Sequence, residues 1–336
     1  MSFSEASERR GRLLIRGLGI ACIAFFAFLV AAFFWATSTP GQSYDGPIRP
    51  PDDAELSDRL ESHVRALAET PRSLDDPRSI ISSTTYLTGQ LSALGYVVER
   101  QEVLAQADNL IVTIPAAKND APIIVIGAHY DTVGISPGAD DNASGVAALL
   151  ELARSFQELR GTINHELQLV FYANEEPPYF KTSAMGSVVH ANSLDEPDRV
   201  VGMISLESMG YFSDEAGSQN YPFPLSLRYP STGNFIAFVG DTSSLQFLRE
   251  MIGEFRETAH IPSVGGTAPS FVQGIDWSDH YGYSQIGIAA FMVTDTAPFR
   301  NPNYHKTSDT PDTLDYERLA LVVEGLERSI RTKTVN

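Results

Sequence analysis

PIIVIGAHYDTVGISPGADDNASGVAALLELARSF, Pro122 to Phe156, is the stretch from which the fold is read. It opens with a short apolar run that ends in His129 and Asp131, the pattern of a strand buried on both faces. Its last third, AALLELARSF, is helix-like and continues to about Leu159. Between them lies GADDNASG, Gly138 to Gly145, where two acids sit side by side among small residues. A carboxylate before a helix is often an N-cap, because it accepts orphan N–H groups. One acid suffices for a cap; the second asks for a cation.

Working outward, YVVERQEV and NLIVTIP read as strands before this stretch, and ELQLVFYAN, VVGMISLE, NFIAFVG and IGIAAFMVT as strands after it. Leu56, Leu60, Val64 and Leu67 recur at helical spacing, and further helices are predicted from Pro77 to Gly95, Ser244 to Thr258 and Tyr316 to Arg331. Apolar strands alternating with helices predict an α/β fold, a three-layer α/β/α sandwich around a mostly parallel central sheet. Gly210 to Gly233, rich in Pro, Tyr, Ser and Gly, fits neither element, and its aromatics favour an ordered loop at the site.

The N-terminus is a separate object. Gly17 to Ala36 is a 20-residue run without a charge, long enough to cross a bilayer, and Arg9, Arg10, Arg12 and Arg16 precede it. The positive-inside rule puts the N-terminus in the cytoplasm and the rest in the periplasm or outside the cell. The competing reading is a cleaved signal peptide, with Ala36 to Ser38 as a poor cleavage site. The only cysteine, Cys22, lies inside this run, so the exported part has no disulfide available. Ser38 to Pro51 reads as a linker. The 336 residues carry a formal charge of −18, which argues against nucleic acid as a partner, since phosphates repel an acidic surface.

In open α/β sheets ligands gather at the carboxyl ends of the strands. There the sequence places His129 and Asp131, then Glu175 and Glu176, then Glu207, with His305 following the last strand and GADDNASG joining the first strand to its helix. Carboxylates gathered without partners repel one another and take up protons, and a metal removes that cost. Mixed His and carboxylate donors suit zinc. Two zinc ions carry four positive charges; Asp140, Glu176 and Glu207 supply three negative ones and a bridging hydroxide the fourth.

The motifs HYDT, GADDNASG, NEE, SLES, SDHYGY and YHKTSDTPDTLDY, in this order between about Ile80 and Leu319, resemble the di-zinc aminopeptidases of metallopeptidase family twenty-eight, a group that includes glutamate carboxypeptidases and glutaminyl cyclases. The resemblance implies that Asp140 bridges two zinc ions. His129 and Glu207 would complete one site, and Glu176 and His305 the other. It implies Glu175 as general base, Asp131 as the carboxylate orienting the histidine, and a cis peptide from Asp140 to Asp141. Many members carry Asp where this chain has Glu207. Asp279, His280 and Tyr281 are expected near the substrate, with His280 either contacting the oxyanion or shaping a turn. Trp277 and Tyr281 to Tyr283 either line a side-chain pocket or pack a loop.

The implied activity is hydrolysis of the first peptide bond of peptides with a free N-terminus. Glutamine cyclisation, carboxypeptidase activity and a non-catalytic binding domain remain as alternatives. The implied organisation is a basic cytoplasmic tail (1–16), a transmembrane anchor (17–37), the linker (38–51) and a zinc peptidase domain (52–336).

Overall fold

The strand read from the opening stretch, β3 below, lies at the centre of the sheet. In the computed structural model, which describes residues 3–104 and 107–335, the chain forms two compact units, Met1–Ser38 and Thr39–Asn336. The first is the single helix α1 (Phe3–Ala36), whose stretch Ile15–Ala36 is long and apolar enough to cross a membrane.

The second unit begins with α2 (Leu56–Leu67) and α3 (Pro77–Ala93), then the hairpin β1 (Glu99–Leu104) and β2 (Ala107–Ile114). β3 (Ile123–His129), α4 (Gly145–Ser155), β4 (Glu166–Tyr172), α5 (Gly186–Asn192) and β5 (Val200–Glu207) follow. The remainder is β6 (Ile236–Asp241), α6 (Leu245–Thr258), β7 (Ser263–Ala268), α7 (His280–Ser284), β8 (Ala290–Thr294), α8 (Ala297–Arg300) and α9 (Tyr316–Val335).

The described strands form one sheet in the order β1-β2-β4-β3-β5-β8-β6-β7. The centre, β4-β3-β5-β8, is parallel throughout, and β6 also runs parallel to β7. The β1–β2, β2–β4 and β6–β8 pairings are antiparallel, so the sheet is mixed at its flanks around the expected parallel centre. From β3 the chain goes to β4 on one side, then crosses back to β5 on the other, leaving a crevice at the carboxyl ends of these strands.

Period-two alternation supplies both faces of the sheet. Ile124, Ile126 and Ala128 join the larger core with α2, α3, α4, α6 and α9, while Ile123 and Val125 join a smaller core with Ala191 and Tyr283 from α5 and α7. These are the expected three layers. Within α4, Leu149 and Leu152 are wholly buried, and truncating either to Ala costs about 2–5 kcal/mol.

The stretch read as a linker is partly tied down. Arg256 Nη1 donates to Thr39 Oγ1 and to the Pro40 carbonyl, both at 2.8 Å, and the Ser263 amide donates to Ser43 Oγ at 2.8 Å. Residues from Thr39 onward thus brace α6 and the start of the outermost strand, β7.

Candidate metal centre

β3 delivers His129 to the crevice with its ring 1% exposed. Its neighbour β4 ends at Tyr172, so Glu175 and Glu176 sit three and four residues beyond it. β5 ends on Glu207 itself. His305 arrives on a loop with φ of +58°, its ring stacked on Tyr304 at 3.9 Å between centroids. The remaining piece is the kinked turn Ala139–Ser144, which leads into α4.

Asp141 is the hub. One carboxylate oxygen lies 3.3 Å from His129 Nε2, and the other lies 3.0 Å from His305 Nε2. Glu207 approaches the same nitrogen of His129 at 3.2 Å, and Glu176 the same nitrogen of His305 at 3.4 Å. Two donor triads result, His129–Asp141–Glu207 and Asp141–Glu176–His305, each with its ligand atoms within 4.8 Å of one another. Both share Asp141, and both offer the nitrogen and oxygen donors that zinc takes.

The expectation for Asp140 is therefore corrected. Its carboxylate, fully buried, accepts the Gly210 amide at 2.9 Å and the Asn301 side-chain amide at 2.7 Å. Those donors hold it on the far side of the turn. Neighbouring side chains point apart, so only one acid of the pair can face the histidines. The cis peptide likewise falls between Asp141 and Asn142, one residue later than expected.

Asp131 lies beside the His129 ring and has a further task. Its carboxylate stands 3.7 Å from His129 Nδ1, which lies nearer the Asp131 carbonyl, at 3.2 Å. The two carboxylate oxygens also accept the amides of Glu175 and Glu176, each at 3.1 Å. Asp309 does the same for the other turn, accepting the Asp140 amide at 3.0 Å and the Asp141 amide at 3.2 Å. Two carboxylate clamps thus aim the acidic pairs. The second was missed in the sequence reading, although Asp309 lies inside YHKTSDTPDTLDY; an acid in a Ser/Thr-rich loop gives no separate signal.

Glu207 is steadied by the Ser208 and Ser278 hydroxyls, at 2.9 and 2.7 Å. Glu175 comes within 3.9 Å of His129 Nε2, beside both triads but in neither. Burial raises its carboxyl well above the ordinary range, and the neighbouring Glu176 and Glu207 push the same way. Burial likewise lifts Glu176 to about 7. Burial works against charging His305, yet its bonds to Asp141 and Glu176 prevail and lift it to about 10.

The residues expected near substrate divide. Asp279 is wholly buried, and burial pushes it up to about 8. His280 Nε2 meets the Ile275 carbonyl at 2.7 Å, a contact that braces the turn before α7, while its Nδ1 is buried without a hydrogen-bond partner. Tyr281 lies under Lys181, whose Nζ is 5.0 Å from its ring and 2.6 Å from Asp276.

Beside the triads opens a pocket, partly open to solvent, with Glu207 and Tyr304 in its wall. Its lining includes Tyr221, Leu225 and Tyr229 from the unassigned loop, together with Ile275, Trp277 and Phe299. The loop is ordered by the Tyr211 amide on Asp295 at 2.7 Å and by Tyr229 Oη on the Gly265 carbonyl at 3.0 Å.

A mixed sheet carries this acid-and-imidazole cluster at its crevice, and the family that the sequence matches makes the class a peptidase, a hydrolase. The chain belongs to peptidase family M28, whose pattern matches residues 109–328. It is 42% identical over 284 residues to the uncharacterized protein YfbL of Escherichia coli (strain K12), covering 80% of this chain and 86% of that one. Its fold resembles the aminopeptidase from Aneurinibacillus sp. strain AM-1, with a TM-score of 0.63, 18% identity and coverage of 83% and 94% of the two chains. It also resembles the Bacteroides thetaiotaomicron glutaminyl cyclase bound to N-acetylhistamine, with a TM-score of 0.60, 18% identity and coverage of 86% and 98%.

Proposed function

We propose that this chain is a di-zinc aminopeptidase that removes N-terminal residues with large apolar or aromatic side chains. The observation that carries the reading is Asp141, whose two oxygens each face a different imidazole, each imidazole in turn facing a second acid. His129, Asp141 and Glu207 would hold one zinc, and Asp141, Glu176 and His305 the other. Bound there, the ions supply Lewis acidity that polarises the scissile carbonyl and makes water nucleophilic near neutral pH.

The chain's own groups do the rest. Glu175 takes the proton from the attacking water and later delivers it to the leaving amine. Burial suits it to this role by raising its proton affinity. Asp131 and Asp309 keep the acidic pairs in place through their amides, so little reorganisation accompanies reaction. The cavity beside Glu207, walled by Tyr221, Leu225, Tyr229 and Trp277, receives the side chain of the first residue. The apolar helix Ile15–Ala36 anchors the enzyme in a membrane, with the catalytic unit outside the cytoplasm.

The test is a panel of aminoacyl amides and N-acetylated peptides, with zinc content measured on the same samples. The expected result is two zinc ions per chain, cleavage only with a free α-amine, a preference for Leu or Phe over Gly or Asp, and loss of activity with chelator. Cyclisation of N-terminal glutamine with one zinc bound, or cleavage of blocked peptides, would overturn it.

A further inference from the structure

Arg72 lies between α2 and α3, in no motif, and is a wholly buried side chain with no part in the chemistry above. Its guanidinium hydrogen bonds end on main-chain carbonyls. Nε donates to Tyr130 at 2.7 Å, Nη1 to Leu67 at 2.8 Å and to Pro137 at 2.7 Å, and Nη2 to Gly138 at 2.7 Å. Its main chain is held as well, its amide donating to Thr132 Oγ1 at 2.9 Å and its carbonyl accepting the Thr132 amide at 3.1 Å. Burying a charged group costs several kcal/mol unless its hydrogen bonds are satisfied, so the site must return something for it.

What the fork joins is informative. Tyr130 sits between His129 and Asp131 at the end of β3. Gly138 opens the turn that carries Asp141 and has φ of +61°. A Cβ at Gly138 would lie 2.9 Å from Arg72 Nη2 and would overlap the Asp141 carbonyl. Guanidinium, glycine and the turn at Asp141 are therefore stacked in direct contact. Lysine could not replace the fork, because its ammonium presents donors from one point.

We propose that Arg72 is a positioning residue for the metal centre: its fork joins the end of β3 to the Pro137–Gly138 turn and so fixes His129 relative to Asp141. The inference rests on the reading of those two residues as ligands. Burial lowers the guanidinium to about 10, while the charges of Asp309, Asp141, Asp131 and Glu176 work against that loss, so it stays charged at neutral pH.

The experiment compares full-length wild type, Arg72→Ala and Arg72→Lys, loaded with zinc. Zinc release to a chromogenic chelator, thermal unfolding and steady-state kinetics are read on each. Zinc release from Arg72→Ala should be about 10–100-fold faster, as for other groups that orient ligands. Its kcat should fall far more than its KM changes, and millimolar guanidinium, but not methylammonium, should slow release again. Wild-type zinc retention in a folded Arg72→Ala, or faster release that guanidinium leaves unchanged, would overturn the proposal. Should Arg72→Ala fail to fold, Arg72→Lys decides: faster release with cooperative unfolding supports positioning, and wild-type release overturns it. A wild type that binds no zinc would instead sink the metal-centre reading itself.

Discussion

Two buried acidic clusters in this protein are built on opposite plans. In α4, Glu151 meets Arg59 at 2.8 Å, Arg154 at 3.1 Å and His63 at 3.2 Å. Burial would raise its carboxyl, but the hydrogen bonds from His63, Arg59 and Arg154 prevail and hold it at about 2. At the sheet's carboxyl edge Glu176 is also buried, but there burial carries it up to about 7, with the charge of Asp141 pushing the same way against the bond from His305. Burial also lifts Asp309 to about 7 and Asp279 to about 8. One cluster brings its own cations. The other gathers more acid than its imidazoles can balance, as a site for divalent cations should.

The contrast can be broken in several ways, taken here from the largest expected effect down. Glu175→Gln removes the proposed base while leaving both triads intact. Turnover of an aminoacyl amide should fall about 10²–10⁴-fold with zinc content unchanged. Retained turnover would remove Glu175 from the chemistry.

Next come the adjacent acids. Asp141→Asn should release zinc more than about 10–100-fold faster, exceeding what outer groups produce. Asp140→Asn should keep most of its zinc but lose about 1–3 kcal/mol of stability, since it disturbs buried hydrogen bonds to Gly210 and Asn301. The opposite ranking in chelator competition would restore Asp140 as the bridge.

Zinc itself should stabilise the metal-stripped protein by about 2.7 kcal/mol at a hundredfold excess over its dissociation constant. Calorimetry with and without zinc measures it, and Glu151→Gln should respond to zinc as wild type does. The smallest effect is the pH dependence of the Glu151 cluster. A carboxylate held below its ordinary 4.5 stabilises the fold above that pH, and the contribution fades as pH falls from 4.5 towards about 2. The stability gap between wild type and Glu151→Gln, measured in chelator, should therefore be full at pH 6 and shrink below pH 4.5. A gap unchanged down to pH 3 would mean that Glu151 is not held by its cations.

Much of the fold was legible because apolar periodicity reports burial directly. The continuous run at Ile123–His129 and the helical spacing of α2 are examples, and both elements form close to where the residues indicate. β7 escaped because Ser263–Ala268 is SVGGTA, with too little apolar surface to announce an outer strand. The antiparallel turns of β2 and β6 escaped because strand direction is set by pairing, which no local pattern encodes. The cavity wall from Tyr221 to Tyr229 had only its aromatics as a signal.

The sequence by itself determined the alternation of strands and helices and the types of residue at the strand ends. Those follow from covalent order and local periodicity. Tertiary structure alone decided which of Asp140 and Asp141 faces the imidazoles. The deciding donors, the Gly210 amide and Asn301, lie 70 and 161 residues away in the chain. It also gave Arg72 its place, because carbonyls at Tyr130, Pro137 and Gly138 become acceptors for one guanidinium only when two loops close around it. Adjacent acids are chemically alike in one dimension; the hydrogen bonds that distinguish them exist only in three.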